Sequence, residues 1–144
     1  MSIIDYRSLP SWFKQELKKI IGKPYKFNCF DGTGFDCYTL TYYIYKLIGI
    51  TLPKVNIAVY SLRQNAKLIK DNSLQFKPIP FSERQPFDIL LFKSSEVIDA
   101  HLAVLLDREH FIHIDKNITV RIEPIQFNIS SIQLKRVYRW LSLN

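Results

Sequence analysis

The chain changes its hydrophobic rhythm once, near Asp71, and that change constrains its fold more than any other feature. Before it, apolar residues recur at helical spacing, with Phe13, Leu17, Ile20 and Ile21 in one segment and Leu40, Ile44, Leu47 and Ile48 in another. After it, β-branched and aromatic residues gather in short pieces separated by turn formers. Their spacing predicts strands near 74–77, 88–93, 100–106, 110–115, 119–122 and 135–140. Helices first and short antiparallel strands after imply an α+β domain, with N-terminal helices packed on a mainly antiparallel sheet.

The punctuation supports that division. Ser8 or Ser11 is expected to cap the first helix, with Pro10 in its first turn and Gly22 at its end. Residues 23–35 hold Pro24, Asn28, Asp31, Gly32 and Gly34, a density of turn formers that reads as a loop leading into Asp36 and Cys37. A second helix starts at Cys37 and is stopped by Gly49 and Pro53. A third, weaker helix is expected over 57–70, on Leu62, Ala66 and Ile69.

With 144 residues, 47% of them apolar and 14% aromatic, residues 1–144 fill one core and one domain. The net charge of +7 suits an anionic partner, but the basic residues are scattered. Only Lys135, Arg136 and Arg139 cluster, with no basic stripe interleaved with stacking aromatics, so a nucleic-acid partner is not expected. The N-terminus lacks a basic region followed by an apolar stretch, and apolar runs such as 89–92 are too short to span a bilayer. Synthesis as a soluble cytoplasmic chain without membrane insertion is the expectation.

Two cysteines, Cys29 and Cys37, make no disulfide framework and are better examined for a nucleophile or a metal. Cys37 falls at a helix start, where unpaired N–H groups and the helix dipole favour a thiolate. By position alone, a buried structural thiol is the commoner fate. The histidines tip the balance. Residues 100–115 read as a hairpin turning at Asp107, Arg108 and Glu109. If that turn has three residues, Leu106 faces His110 and Ala103 faces His113. His101 and His113 then share a face as diagonal neighbours roughly 7 to 8 Å apart by backbone, within reach of each other's rings. His101 can serve as the base toward Cys37 while His113 fixes its tautomer. His110 reads as a solvated turn residue. Zinc binding by the two Cys and two His is disfavoured by spacings of eight and twelve residues. Asp36 can either cap the helix or reach a substrate amine.

At these residues the chain resembles the NlpC family of papain-like cell-wall cysteine peptidases. KPYKFNCFDGTGFDCYTLTYYIYKLIGITLP resembles the family's nucleophile segment, with Tyr25 meeting its tyrosine twelve residues before the cysteine. QPFDILLF resembles the strand before the histidine, and HLAVLLDREHFIH the two-histidine hairpin. Tyr38 and Thr39 stand where the family has Ser and Gly, Asn28 and Cys29 replace a Gly pair, and Phe87 and Ala103 replace single glycines.

The resemblance implies Cys37 as nucleophile, His101 as general base, His113 as the orienting third member and Tyr25 near the oxyanion hole. Such an oxyanion donor is worth about 3 kcal/mol of barrier. It implies a peptidoglycan stem peptide as substrate, cleaved through a thioester, with no cofactor. It extends to compact members found in phage tails, so phage tail proteins are expected partners and the virion or the cell wall the expected destination. A non-catalytic tail or wall-binding component, or an acyltransferase or thioesterase, would use the same fold.

Overall fold

The computed structural model describes residues 5–52, 54, 76–94, 100–115, 117–125 and 132–141. The helix expected over 57–70 lies outside these residues.

Helix α1 is Ser11–Ile20. Neither serine caps it: Pro10 occupies the N-cap with φ −52° and no side-chain bond, and the Ser8 hydroxyl donates instead to the Asp5 carbonyl at 2.6 Å. The fixed proline φ starts the helix without a hydroxyl. Phe13, Leu17 and Ile20 are buried, whereas Ile21, expected on the same face, is the C-cap and lies exposed. Each buried side chain contributes roughly 1.5–3 kcal/mol by leaving water. Gly22, at φ +87°, then turns the chain so that its N–H donates to the Val120 carbonyl, and Val120 N–H donates back to Lys23.

Helix α2 is Cys37–Leu47, and every residue from Cys37 to Tyr45 except Tyr43 is buried. A helix enclosed on most sides is held by packing rather than by propensity.

Six strands follow: β1 Phe76–Ile79, β2 Ile89–Ser94, β3 Ala100–Leu105, β4 His110–His113, β5 Arg121–Pro124 and β6 Ile132–Trp140. They form one antiparallel sheet in the order β1-β6-β2-β3-β4-β5. Strand boundaries differ from the sequence expectation by one to three residues, most clearly in β1, β5 and β6, because partners rather than composition decide where a strand stops. β6 starts at Ile132 because it runs alongside β2 as far as Ser94. β5 extends to Pro124 opposite His110. β1 reaches Ile79 opposite Val137.

Alternation along the strands divides the core. Ile89, Leu91, Leu102, Val104 and Ile112 join α1 and α2 in the larger cluster, while Leu90, Phe92, Ala103, Leu105, Phe111 and Val137 form a smaller cluster from strand positions of the opposite parity. Beside the start of β2, Arg139 of β6 grips Asp88 bidentately, Nε to Oδ1 and Nη2 to Oδ2 both at 2.9 Å, with the two side chains 8% and 1% exposed.

Candidate active site

The loop before α2 is built to present one turn of backbone. Phe35 N–H donates to the Pro24 carbonyl and Lys26 N–H to the Phe35 carbonyl, both at 3.0 Å, so Tyr25 and Phe35 form a short parallel bridge. Gly34 is required there: a Cβ at that position would come within 2.6 Å of Lys26 Cγ. The bridge seats Tyr25 two strand-like steps from the cysteine turn.

Asp36 closes the turn as the N-cap. Its Oδ1 accepts from Thr39 N–H at 2.8 Å, the Thr39 hydroxyl accepts from Asp36 N–H at 2.8 Å, and Oδ2 accepts from Asn28 N–H at 2.7 Å. This is a capping box extended to the loop. Of the two roles open to Asp36 in the sequence, the capping geometry is realised, and both carboxylate oxygens bond to backbone N–H groups in a site only 6% exposed.

Cys37 follows, 4% exposed. Its sulfur lies among the N–H groups of Leu102, Cys37 and Tyr38, all of which favour a thiolate. Burial outweighs them and, with the Asp36 carboxylate, pushes the thiol up to about 12. A helix start alone would lower it; desolvation reverses the sign.

The contact with Leu102 joins the cysteine to β3. Leu106 N–H donates to the His110 carbonyl across the hairpin, and the β3–β4 ladder pairs Leu105 with Phe111 and Val104 with Ile112. This is the register a three-residue turn demands. N–H groups of even parity on β3 point toward β4, and beyond the ladder the Leu102 N–H finds the sulfur instead. The residue directly before it is His101.

His101 and His113 meet, Nε2 to Nδ1 at 2.8 Å, with ring planes 76° apart. Phe92 and Phe111 flank them, at ring separations of 6.0 Å from His101 and 4.8 Å from His113. Burial, reinforced by the neighbouring imidazole, pulls His101 down to about 3. Burial also lowers His113, against the opposing pull of the Glu123 carboxylate.

Glu123 was not foreseen. Its Oε2 bonds His113 Nε2, and the β4–β5 register sets it opposite Phe111, diagonal to His113 on the same face. The strand expected to end at residue 122 excluded it, although its place as the last acidic residue in the chain was a visible signal. His110 is also less solvated than expected. Its Nδ1 lies 3.0 Å from both Asp107 carboxylate oxygens, and Tyr6 meets its ring edge-on at 5.0 Å. Asp107 recruits it by folding the turn, accepting from Glu109 and His110 N–H groups at 2.7 Å each.

Cys29 is a free, partly exposed thiol that donates to Asp31 Oδ1 at 3.0 Å. The Thr33 hydroxyl and this thiol hold the Asp31 carboxyl well below its usual range. Beside them opens a surface depression of about 730 Å³ lined by Lys26, Phe27, Asn28, Cys29, Phe30, Asp31 and Lys54. Among the described residues no group of three or more His, Cys, Asp or Glu side chains is gathered as a metal ion requires, and no helix is long and apolar enough to cross a membrane.

Comparison with known proteins is consistent with this architecture. The family model described as NlpC/P60 family matches residues 22–139. Three solved structures share the fold. A protein described as similar to lipoprotein, NLP/P60 family, from Staphylococcus aureus superposes with a TM-score of 0.59 at 24% identity, over 89% of this chain and 40% of that one. NlpC2 from Trichomonas vaginalis gives 0.64 at 18% identity, over 95% and 50%. The NlpC/p60 domain of the peptidoglycan hydrolase SagA gives 0.57 at 21% identity, over 92% and 99%. The chain thus spans about half the length or less of the first two and nearly all of the third. No curated protein matches the sequence.

Proposed function

The chain belongs to the NlpC/P60 family, and from that premise we propose that it is a cysteine peptidase that hydrolyses amide bonds in the stem peptides of bacterial peptidoglycan. The observation that carries this most directly is the 2.8 Å contact between His101 Nε2 and His113 Nδ1, on the strand whose next residue sets its N–H beside the Cys37 sulfur. With Cys37 read as the nucleophile and His101 as its base, the paired imidazole of His113 supplies the orienting group that acyl transfer needs. The SagA domain, named as part of a peptidoglycan hydrolase, supports the substrate class.

In this mechanism His101 takes the Cys37 thiol proton as the sulfur attacks the amide carbonyl. The oxyanion that forms accepts from the Cys37 N–H and from the Tyr25 hydroxyl. Imidazolium His101 then protonates the departing amine, leaving a thioester on Cys37. Water, deprotonated by His101, attacks the thioester, and the thiol recovers its proton as the carboxylic acid leaves. Lys26 and Lys54, on the depression beside the Asp36 turn, suit carboxylate groups of a stem peptide, while Phe27 and Phe30 supply apolar contact.

Digestion of purified peptidoglycan by the protein and by Cys37→Ala, followed by mass spectrometry of the fragments, tests this. New peptide ends with the parent protein and none with the variant are expected; cleavage retained by Cys37→Ala would overturn it.

One observation favours a non-catalytic wall-binding role on the same fold: Cys37 is 4% exposed, and that burial pushes its thiol up to about 12, away from the thiolate. That role predicts binding to insoluble peptidoglycan with no fragment released by either protein.

A further inference from the structure

The bonds around the two imidazoles admit one arrangement of protons when both rings are neutral. An ionised carboxylate only accepts, so the Glu123 bond puts a proton on His113 Nε2. A neutral imidazole carries one N–H, so His113 Nδ1 is left as a lone pair. His101 Nε2, 2.8 Å away, must then be the donor to it. The only ring nitrogen of His101 left without a proton is Nδ1.

We propose that Glu123 is the positioning residue that sets the tautomers of both histidines and so makes Nδ1 the basic atom of His101. Glu123 reaches no reacting atom itself; it acts through His113. The reverse arrangement, with the proton on His113 Nδ1, would set a bare Nε2 against the carboxylate, lone pair to lone pair. The other charged groups near His113 are Asp115, beyond the end of β4, and Arg121, opposite it on β5. Neither bonds its ring nitrogens among the described residues, and their opposite charges offset each other there. When His101 gains a proton at Nδ1, the positive charge spreads along a chain that ends on the Glu123 carboxylate, so its negative charge also stabilises the imidazolium.

The consequence for turnover rests on the peptidase reading; the tautomer assignment does not. Side-chain ¹⁵N NMR at neutral pH of the protein and of Glu123→Gln and Glu123→Leu separates the two. In the parent protein both His101 and His113 should carry their proton on Nε2. Glu123→Gln, whose amide oxygen still accepts, should keep that pattern while kcat falls. Glu123→Leu should populate Nδ1–H forms and lose kcat by about 10- to 100-fold, the scale seen when the outer partner of a functional histidine is removed. KM should stay within about twofold in both, since substrate binding is untouched. A parent His113 protonated on Nδ1, or Glu123→Leu spectra identical to the parent's, would overturn the assignment whether or not the protein cleaves peptides. Absence of cleavage by a parent protein with the expected tautomers would count against the peptidase reading alone.

Discussion

The backbone N–H of Leu102 lies beside the sulfur of Cys37, which sets the start of α2 against the strand residue that directly follows His101. Burial pushes the Cys37 thiol up to about 12 and, with His113 next to it, pulls His101 down to about 3, so desolvation favours the neutral form of each.

Alkylation should therefore distinguish the two cysteines. With iodoacetamide at pH 7, partly exposed Cys29 is expected to react first and buried Cys37 slowly, its rate climbing only as the pH passes 9 toward 12. Peptide mapping over time measures both. Rapid labelling of Cys37 at pH 7 would show that the thiolate is already formed in the free protein.

Stability should peak in a window set by the same two groups. Between 6.5 and about 3 the unfolded chain binds a proton that folded His101 refuses, so stability is full above 6.5 and falls as the pH drops. Between 9.0 and about 12 the unfolded chain releases a proton that folded Cys37 keeps, so stability falls as the pH rises. Thermal melts across this range should show a plateau between, and His101→Gln should flatten part of the acid slope. An unchanged acid slope in that variant would exclude His101 as its source.

Asp36→Ala should cost about 1–2 kcal/mol, since it removes the α2 cap together with the bond to Asn28. Asp36→Asn, which keeps an accepting oxygen, should recover much of that. Urea denaturation gives both values, and equal losses in the two variants would mean that the charge rather than the cap matters.

Removing one member of the Arg139 and Asp88 pair should be more severe than any surface change. Asp88→Ala leaves a buried guanidinium without its carboxylate, at a cost of about 3–5 kcal/mol. Replacing both with apolar residues of similar size should cost less than Asp88→Ala alone. A loss in the double variant that equals or exceeds it would show that the pair contributes net stability of its own.

Much of the fold was legible because it rests on local periodicities. The helical recurrence of Leu40 and Ile44 and the turn formers before Asp36 locate α2, and the alternation through 100–115 brings His101 and His113 to one face once the turn length is set. The boundaries of β1, β5 and β6 were not legible, since a strand continues for as long as a partner strand lies beside it, and the partners of β6 come from two distant segments.

The sequence by itself determined the α+β order, the helix start at Cys37 and the parity of the two histidines, because each depends on residues a few steps apart. Tertiary structure decided the rest. Only the pairing of β4 with β5 delivers Glu123 to His113, and only the packing of α2 on β3 brings the Leu102 N–H to the sulfur. The protonation of Cys37 was decided there too: a helix start favours the thiolate locally, but desolvation is a property of everything packed around it, and at 4% exposure desolvation wins.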